Sequence, residues 1–151
     1  MATLGDSFPK EIKESNAVNA IKKGTVIKCF MKNTIPEKEK RFIVLGKDCN
    51  NNYIGVVFIN SKLNFNINYN EELRALQFFI KKYDNDYLDK DSYVDCSQLI
   101  ELDYISVKAI ITENPARILG KVKRVDIDHV CDLVRSSPKI EPIKLEMFGL
   151  T

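Results

Sequence analysis

The sequence predicts a mainly β, α+β domain: a small closed or nearly closed barrel with peripheral helices, one near the N-terminus and one near the C-terminus. Short β-branched and aromatic runs recur along the chain, each bounded by polar or glycine turns. Helical patterns with an apolar stripe sit toward the two ends, which leaves the middle to strands. The length of 151 residues suits one domain with one core. We place an N-terminal helical extension at residues 1–23 and the barrel domain at 24–151.

Ser7, Pro9 and the spacing of Ile12, Val18 and Ile21 predict a short opening helix, an appendage to the core, that stops at Gly24. The run Thr25 to Met31 then reads as the first strand. A charged loop from Lys32 to Lys40 leads into the apolar stretch Phe42 to Leu45, a buried strand ending at Gly46. Asn50, Asn51 and Asn52 mark a turn, and Tyr53 to Ile59 returns as the partner strand of an antiparallel hairpin. Gly55 within that strand signals a bulge or a close backbone approach.

Asn70 is placed to cap a short helix or turn that runs into a strand from about Gln77. Tyr93 and Val94, Leu99 to Leu102, and the β-branched run Val107 to Thr112 all read as extended. A last helix is predicted with Asp126 as its N-cap and Ile127, Val130, Cys131 and Val134 as its apolar stripe, ending at Ser136, Ser137 and Pro138. An extended tail follows.

Composition excludes several function classes. Hydrophobic residues at 44% and charged residues at 29% fit a soluble globular protein, and no apolar run approaches the roughly 20 residues that span a bilayer. The N-terminus lacks the apolar centre of a secretory signal, so a cytoplasmic protein without membrane contact is expected. Cys29, Cys49, Cys96 and Cys131 are too scattered for a metal site or a disulfide framework and are expected as free thiols. His129 is the single histidine, which rules out a two-histidine acid/base mechanism and leaves a cysteine nucleophile poorly activated. Asp84 with Asp86, Asp89 with Asp91, and Asp126 with Asp128 lack the glycine and glutamate of a calcium loop and read as solvated or capping carboxylates. Neither a glycine-rich phosphate loop nor a Gly-x-Ser-x-Gly elbow is present. No metal and no cofactor is expected.

Charge is uneven. Residues 1–47 carry ten Lys/Arg against five Asp/Glu, whereas residues 71–103 carry four against nine. Such a split is compatible with a phosphate-binding face that an acidic segment can mask. Within the basic half, Lys38, Lys40 and Arg41 open onto the buried strand, and the hairpin return ends in Asn60 and Ser61, followed by Lys62. An arginine fork held at a strand end fits a phosphate bidentately; a solubilising hinge is the other reading of the same residues.

These segments, taken in order, resemble the PemK/MazF-like toxins of type II toxin-antitoxin systems. Gly24-Thr-Val-Ile27 is similar to the family's opening strand, Lys38-Glu-Lys-Arg-Phe-Ile-Val-Leu45 to its Lys-x-Arg-Pro strand, and Val57-Phe-Ile-Asn-Ser61 to its strand ending in Ile-Thr-Ser. Asp91 to Gln98 resembles its Ser-x-Val-x-Cys-Asp-Gln run, and Ile118-Leu-Gly-Lys-Val122 its Ile-Gly-x-Leu. The resemblance implies an SH3-like barrel, a homodimer that cleaves single-stranded RNA without a metal and is neutralised by an antitoxin. By the same resemblance Arg41 stabilises the phosphorane formed as the RNA 2′-hydroxyl attacks its neighbouring phosphate. Asn60 and Ser97 stand at the family's other catalytic positions, with the adjacent Ser61 and Asp95 as candidates to substitute for them; Lys38, Lys40, Phe42 and Lys62 are the candidate RNA contacts, and Phe42, Tyr53 and Phe65 the candidate stacking rings.

Three positions depart from the family pattern: Phe42 stands for its proline, Asn60 for its threonine and Ser97 for its aspartate. An amide cannot shuttle a proton and a serine is no general base at neutral pH. Two functions therefore stay open, a metal-independent endoribonuclease and an inactive barrel that binds RNA or a protein partner.

Overall fold

The computed structural model describes residues 10–31, 38–63 and 70–151, and for Lys10, Met31 and Lys38 the backbone alone. Ser7, Pro9, the loop 32–37 and Phe65 lie outside the described residues. The architecture is mixed α+β: one curled antiparallel sheet of seven strands with helices packed on both of its faces.

Helix α1 (Lys10–Ala20) ends four residues before Gly24, whose φ of 94° suits glycine and turns the chain into β1 (Thr25–Met31). The Gly24 N–H donates to the Val44 carbonyl and its own carbonyl accepts from the Val122 N–H, each at 2.8 Å. Strands β2 (Lys38–Lys47) and β3 (Tyr53–Asn60) form the predicted hairpin. In its turn the Asp48 carboxylate accepts from the N–H groups of Asn52 and Tyr53 at 2.7 and 2.9 Å, and Asn51 takes the left-handed conformation, φ 57°. Asn70 caps α2 (Glu71–Arg74) by accepting from the Leu73 N–H at 2.8 Å, and β4 (Gln77–Ile80) follows directly, both as predicted. Then come β5 (Ser92–Asp95), β6 (Ile100–Asp103), α3 (Tyr104–Glu113), β7 (Ile118–Lys121), α4 (Arg124–Ser136) and α5 (Pro142–Met147).

Strand order is β4-β5-β3-β2-β1-β7, with β6 paired to the first half of β3. The end strands β4 and β7 do not pair, so where a closed or nearly closed barrel is expected the sheet is a curled half-barrel. One reason is the run Val107 to Thr112, expected as a strand and observed inside α3. Asp103 caps that helix by accepting from the Ser106 N–H at 2.9 Å, and Tyr104, Val107 and Ile111 are buried at a spacing of three and four. Here helical period and a cap outweigh β-branched propensity.

Two further expectations change. Helix α4 begins at Arg124 with Lys123 in the cap position, so Asp126 lies in the first turn, where its charge suits the helix dipole without capping. Its stripe of Ile127, Val130, Cys131 and Val134 is buried as predicted. The expected extended tail contains α5, started by Pro142, whose missing N–H costs nothing at that position.

Sheet alternation creates two cores. Val26, Ile43, Leu45, Val57, Ile59 and Val94 face α2, α4 and the C-terminal Phe148 and Leu150. Ile27, Cys29, Phe42, Val44, Ile54 and Val56 face the other way, onto Ala17 and Ile21 of α1 and Tyr104, Val107 and Ile111 of α3. Helix α1 is thus a packed layer. Gly55 shows the close approach expected of it: a β-carbon there would lie 2.8 Å from the Phe148 ring. Gly55→Ala is expected to cost about 1–3 kcal/mol through this overpacking, read as a lower urea midpoint with an unchanged slope.

Candidate nucleic-acid interface

Register decides which side chains share a surface. Arg41 pairs with Ile59 across β2 and β3, and both point to the face covered by α4. The next residue pair, Lys40 and Asn60, points to the opposite face, where the Lys40 ammonium donates to Asn60 Oδ1 at 2.6 Å. Arg41 and Asn60, expected together, are therefore on opposite sides of the sheet.

On the face with Lys40 and Asn60, α1 and α3 cover the sheet only as far as Phe42, Val44, Ile54 and Val56. Beyond them it continues through Phe58 and Asn60 of β3, Tyr93 and Asp95 of β5, and Gln77 and Phe79 of β4. Asn60 lies opposite Tyr93, Phe79 opposite Tyr93, and Gln77 opposite Asp95. The Lys40 ammonium lies 5.6 Å above the Phe58 ring, and the Phe79 and Tyr93 rings pack at 5.3 Å with planes tilted by 52°. Phe79 is 45% exposed, while Phe58, Asn60 and Tyr93 are half-buried. Among the described residues, rings, amides and one ammonium thus form a shallow platform at the end of the sheet beyond α1 and α3, with Phe58 also packed against the core beneath those helices.

Asp95 marks its border. Its Oδ1 accepts from Gln77 Nε2 at 2.7 Å, from the Ser97 N–H at 3.0 Å and from the Ser97 hydroxyl at 2.5 Å. Ser97 is fully buried, and its carbonyl accepts from the Ser137 hydroxyl at 2.7 Å. This pair ties the turn after β5 to the end of α4, with Asp95 Oδ1 taking three hydrogen bonds in doing so. Between them the Cys96 thiol is buried, which pushes its pKa far up and leaves it inert as a nucleophile.

Arg41, on the other face, is held by the loop after β4. Its Nε donates to the Tyr87 carbonyl at 3.2 Å, and its Nη2 pairs with Asp89 at 2.7 Å. The guanidinium in turn holds the Asp89 carboxyl below the ordinary range. Asp89 is 77% exposed, so solvent screens the pair and its net attraction is small. A phosphate can therefore displace Asp89 at little cost. Tyr87 itself is structural: its hydroxyl donates to Asn85 Oδ1 at 3.0 Å, and burial, with Asp126 nearby, pushes its pKa up to about 12.

No family model matches this chain, and no curated protein matches it.

Of the remaining expected residues, Ser61 and Lys62 are exposed just beyond β3, and Lys38 is placed by its backbone alone, opposite Met31. Phe42 is a correction: it is fully buried in the core beneath α1 and α3, where no base can stack on it. Tyr53 is exposed at the far end of β3, beside Asp103. His129 is exposed on α4 with its ring 4.7 Å from that of Phe78. All four cysteines are free, and only Cys49 is exposed. Among the described residues no group of three or more His, Cys, Asp or Glu is placed to hold a metal ion, and no helix is long and apolar enough to cross a membrane.

Sequence reasoning missed Phe58, Phe79 and Tyr93. Their signal was alternation: Phe58 with Asn60, Gln77 with Phe79 and Tyr93 with Asp95 each repeat at two, which puts each pair on one face of its strand.

Proposed function

We propose that the protein binds single-stranded RNA across this end of the sheet and holds it without cutting it. The carrying observation is the Phe79–Tyr93 ring pair beside Lys40, Phe58 and Asn60 on one sheet face. Unpaired bases stack on such rings whatever their sequence, a lysine neutralises backbone phosphate, and the Asn60 and Gln77 amides carry both donors and acceptors for base edges. Cleavage needs a proton acceptor and a proton donor near the scissile phosphate. Here the Asp95 carboxylate and the Ser97 hydroxyl are bound to each other, and Asn60 offers no proton relay.

A second reading is the endoribonuclease of the PemK/MazF-like kind. The weakly held Arg41 fork favours it, because a guanidinium exchanged from Asp89 to a phosphate at small cost is suited to a developing phosphorane. In that reading the protein works as a homodimer and is restrained by an antitoxin, as the resemblance implies.

One experiment separates the two. Purified protein is incubated with a long single-stranded RNA in EDTA, beside Arg41→Ala. Retention of intact RNA by both proteins is expected, with affinity falling as salt rises because bound phosphates release counterions. Cleavage products that vanish in Arg41→Ala transfer the argument to the enzyme, and RNA neither bound nor cut removes both readings.

A further inference from the structure

Away from the platform, the turn after α1, the end of β7 and the start of α4 enclose a cleft of about 340 Å³. Lys23, Gly24, Lys121, Arg124 and Asp128 line it, so three cations face one carboxylate. That volume lies at the lower end of small-molecule sites, which run to about 300–1,000 Å³.

The cations are brought together by the backbone. Lys121 sits opposite Thr25 in the β1–β7 ladder, and the Thr25 N–H donates to the Lys22 carbonyl at 3.1 Å, which fixes the Lys22–Lys23 turn beside the strand end. The neighbouring Lys22 side chain and its charge lower the Lys121 pKa below the ordinary lysine value. None of Lys22, Lys23, Lys121 and Arg124 forms an ion pair with a carboxylate among the described residues. Three cations lining one polar cleft without a carboxylate partner repel one another until an anion lies among them. The start of α4 adds to the positive field, since no side chain caps it.

We propose that this cleft binds a small phosphorylated molecule, a nucleoside mono- or diphosphate in class, with Lys23, Lys121 and Arg124 holding its phosphates. The chemistry fits, because a diphosphate presents enough oxygens to lie between the Lys23 and Lys121 ammonium groups while engaging the Arg124 fork. The inference is independent of RNA binding, since the cleft shares no residue with the platform.

Calorimetric titration with sodium pyrophosphate, ADP and adenosine at matched ionic strength tests it on the full chain. Saturable binding of pyrophosphate and ADP is expected, with none for adenosine. Lys121→Gln and Arg124→Gln, both at exposed positions, are each expected to weaken pyrophosphate binding about tenfold, the loss typical of one charged hydrogen bond. The double variant keeps its RNA affinity and its melting temperature. Absence of saturable pyrophosphate binding, or binding unchanged in the double variant, overturns the proposal. A parallel loss of RNA affinity in that variant also overturns it, because the cleft then belongs to the RNA path.

Discussion

Truncating Phe42 to alanine lowers the unfolding free energy by about 3–5 kcal/mol, the cost of deleting a buried phenyl ring and leaving a cavity. The ring is fully buried between Ile27 and Phe58 on its neighbouring strands and the α1–α3 layer above it. Both helices dock on this strip, so collapse around the missing ring is resisted by two layers at once. Domains of this size have stabilities of about 5–15 kcal/mol, so the variant sits near the edge of folding. Urea unfolding followed by circular dichroism checks the size of the loss. Phe42→Leu, which keeps most of the volume, should fold and bind RNA with wild-type affinity. A variant with normal stability and lost RNA binding would instead make Phe42 a contact residue.

Removing the platform rings acts in the opposite sense, on binding and little on stability. Each base stacked on an aromatic ring contributes about 1–3 kcal/mol by alanine substitution, so Phe79→Ala should weaken single-stranded RNA binding by roughly fivefold to a hundredfold. Phe79 is 45% exposed and lies on an end strand, so its loss barely affects the core. Tyr93→Ala should lose about as much affinity and slightly more stability, since the half-buried ring also supports Phe79. Because the two rings touch, the double variant is expected to fall short of the sum of the single losses. Lys40→Gln should lower the salt dependence by roughly 0.7 in the slope of log K against log salt, the share of one phosphate contact on a single strand. Fluorescence anisotropy of a labelled oligonucleotide measures all four variants.

Much of the fold was legible because local chemistry and tertiary packing agree at its turns. Gly24, the Asn50 to Asn52 turn, Gly55 and the Asn70 cap each carry a backbone requirement that few residue types meet, and each sits where it was expected. Helix α3 was illegible by propensity, although Tyr104, Val107 and Ile111 carry the helical period and Asp103 the cap. The segment was short enough for β-branched content to dominate the reading.

The site was legible only in part, for a reason of parity. Lys40 and Arg41 are neighbours in sequence, as are Asn60 and Ile59, but strands send successive side chains to opposite faces. Which of each pair faces its partner depends on hairpin register, and a one-residue slip reverses every assignment. The irregularity between Val44 and Gly46 sets that register, and sequence does not locate it. The partner of Arg41 lay further out of reach, because Asp89 is separated from it by 48 residues and enters through a loop with no local signal.

The face proposed to hold RNA is therefore the first to test. Backbone amide spectra of isotope-labelled protein, recorded during titration with a short single-stranded oligonucleotide, map it directly. Shifts concentrated at Lys40, Phe58, Asn60, Gln77, Phe79 and Tyr93 are expected, with the Tyr87 to Asp89 loop unmoved. Shifts centred on Arg41, Tyr87 and Asp89, with Phe79 and Tyr93 silent, would contradict it.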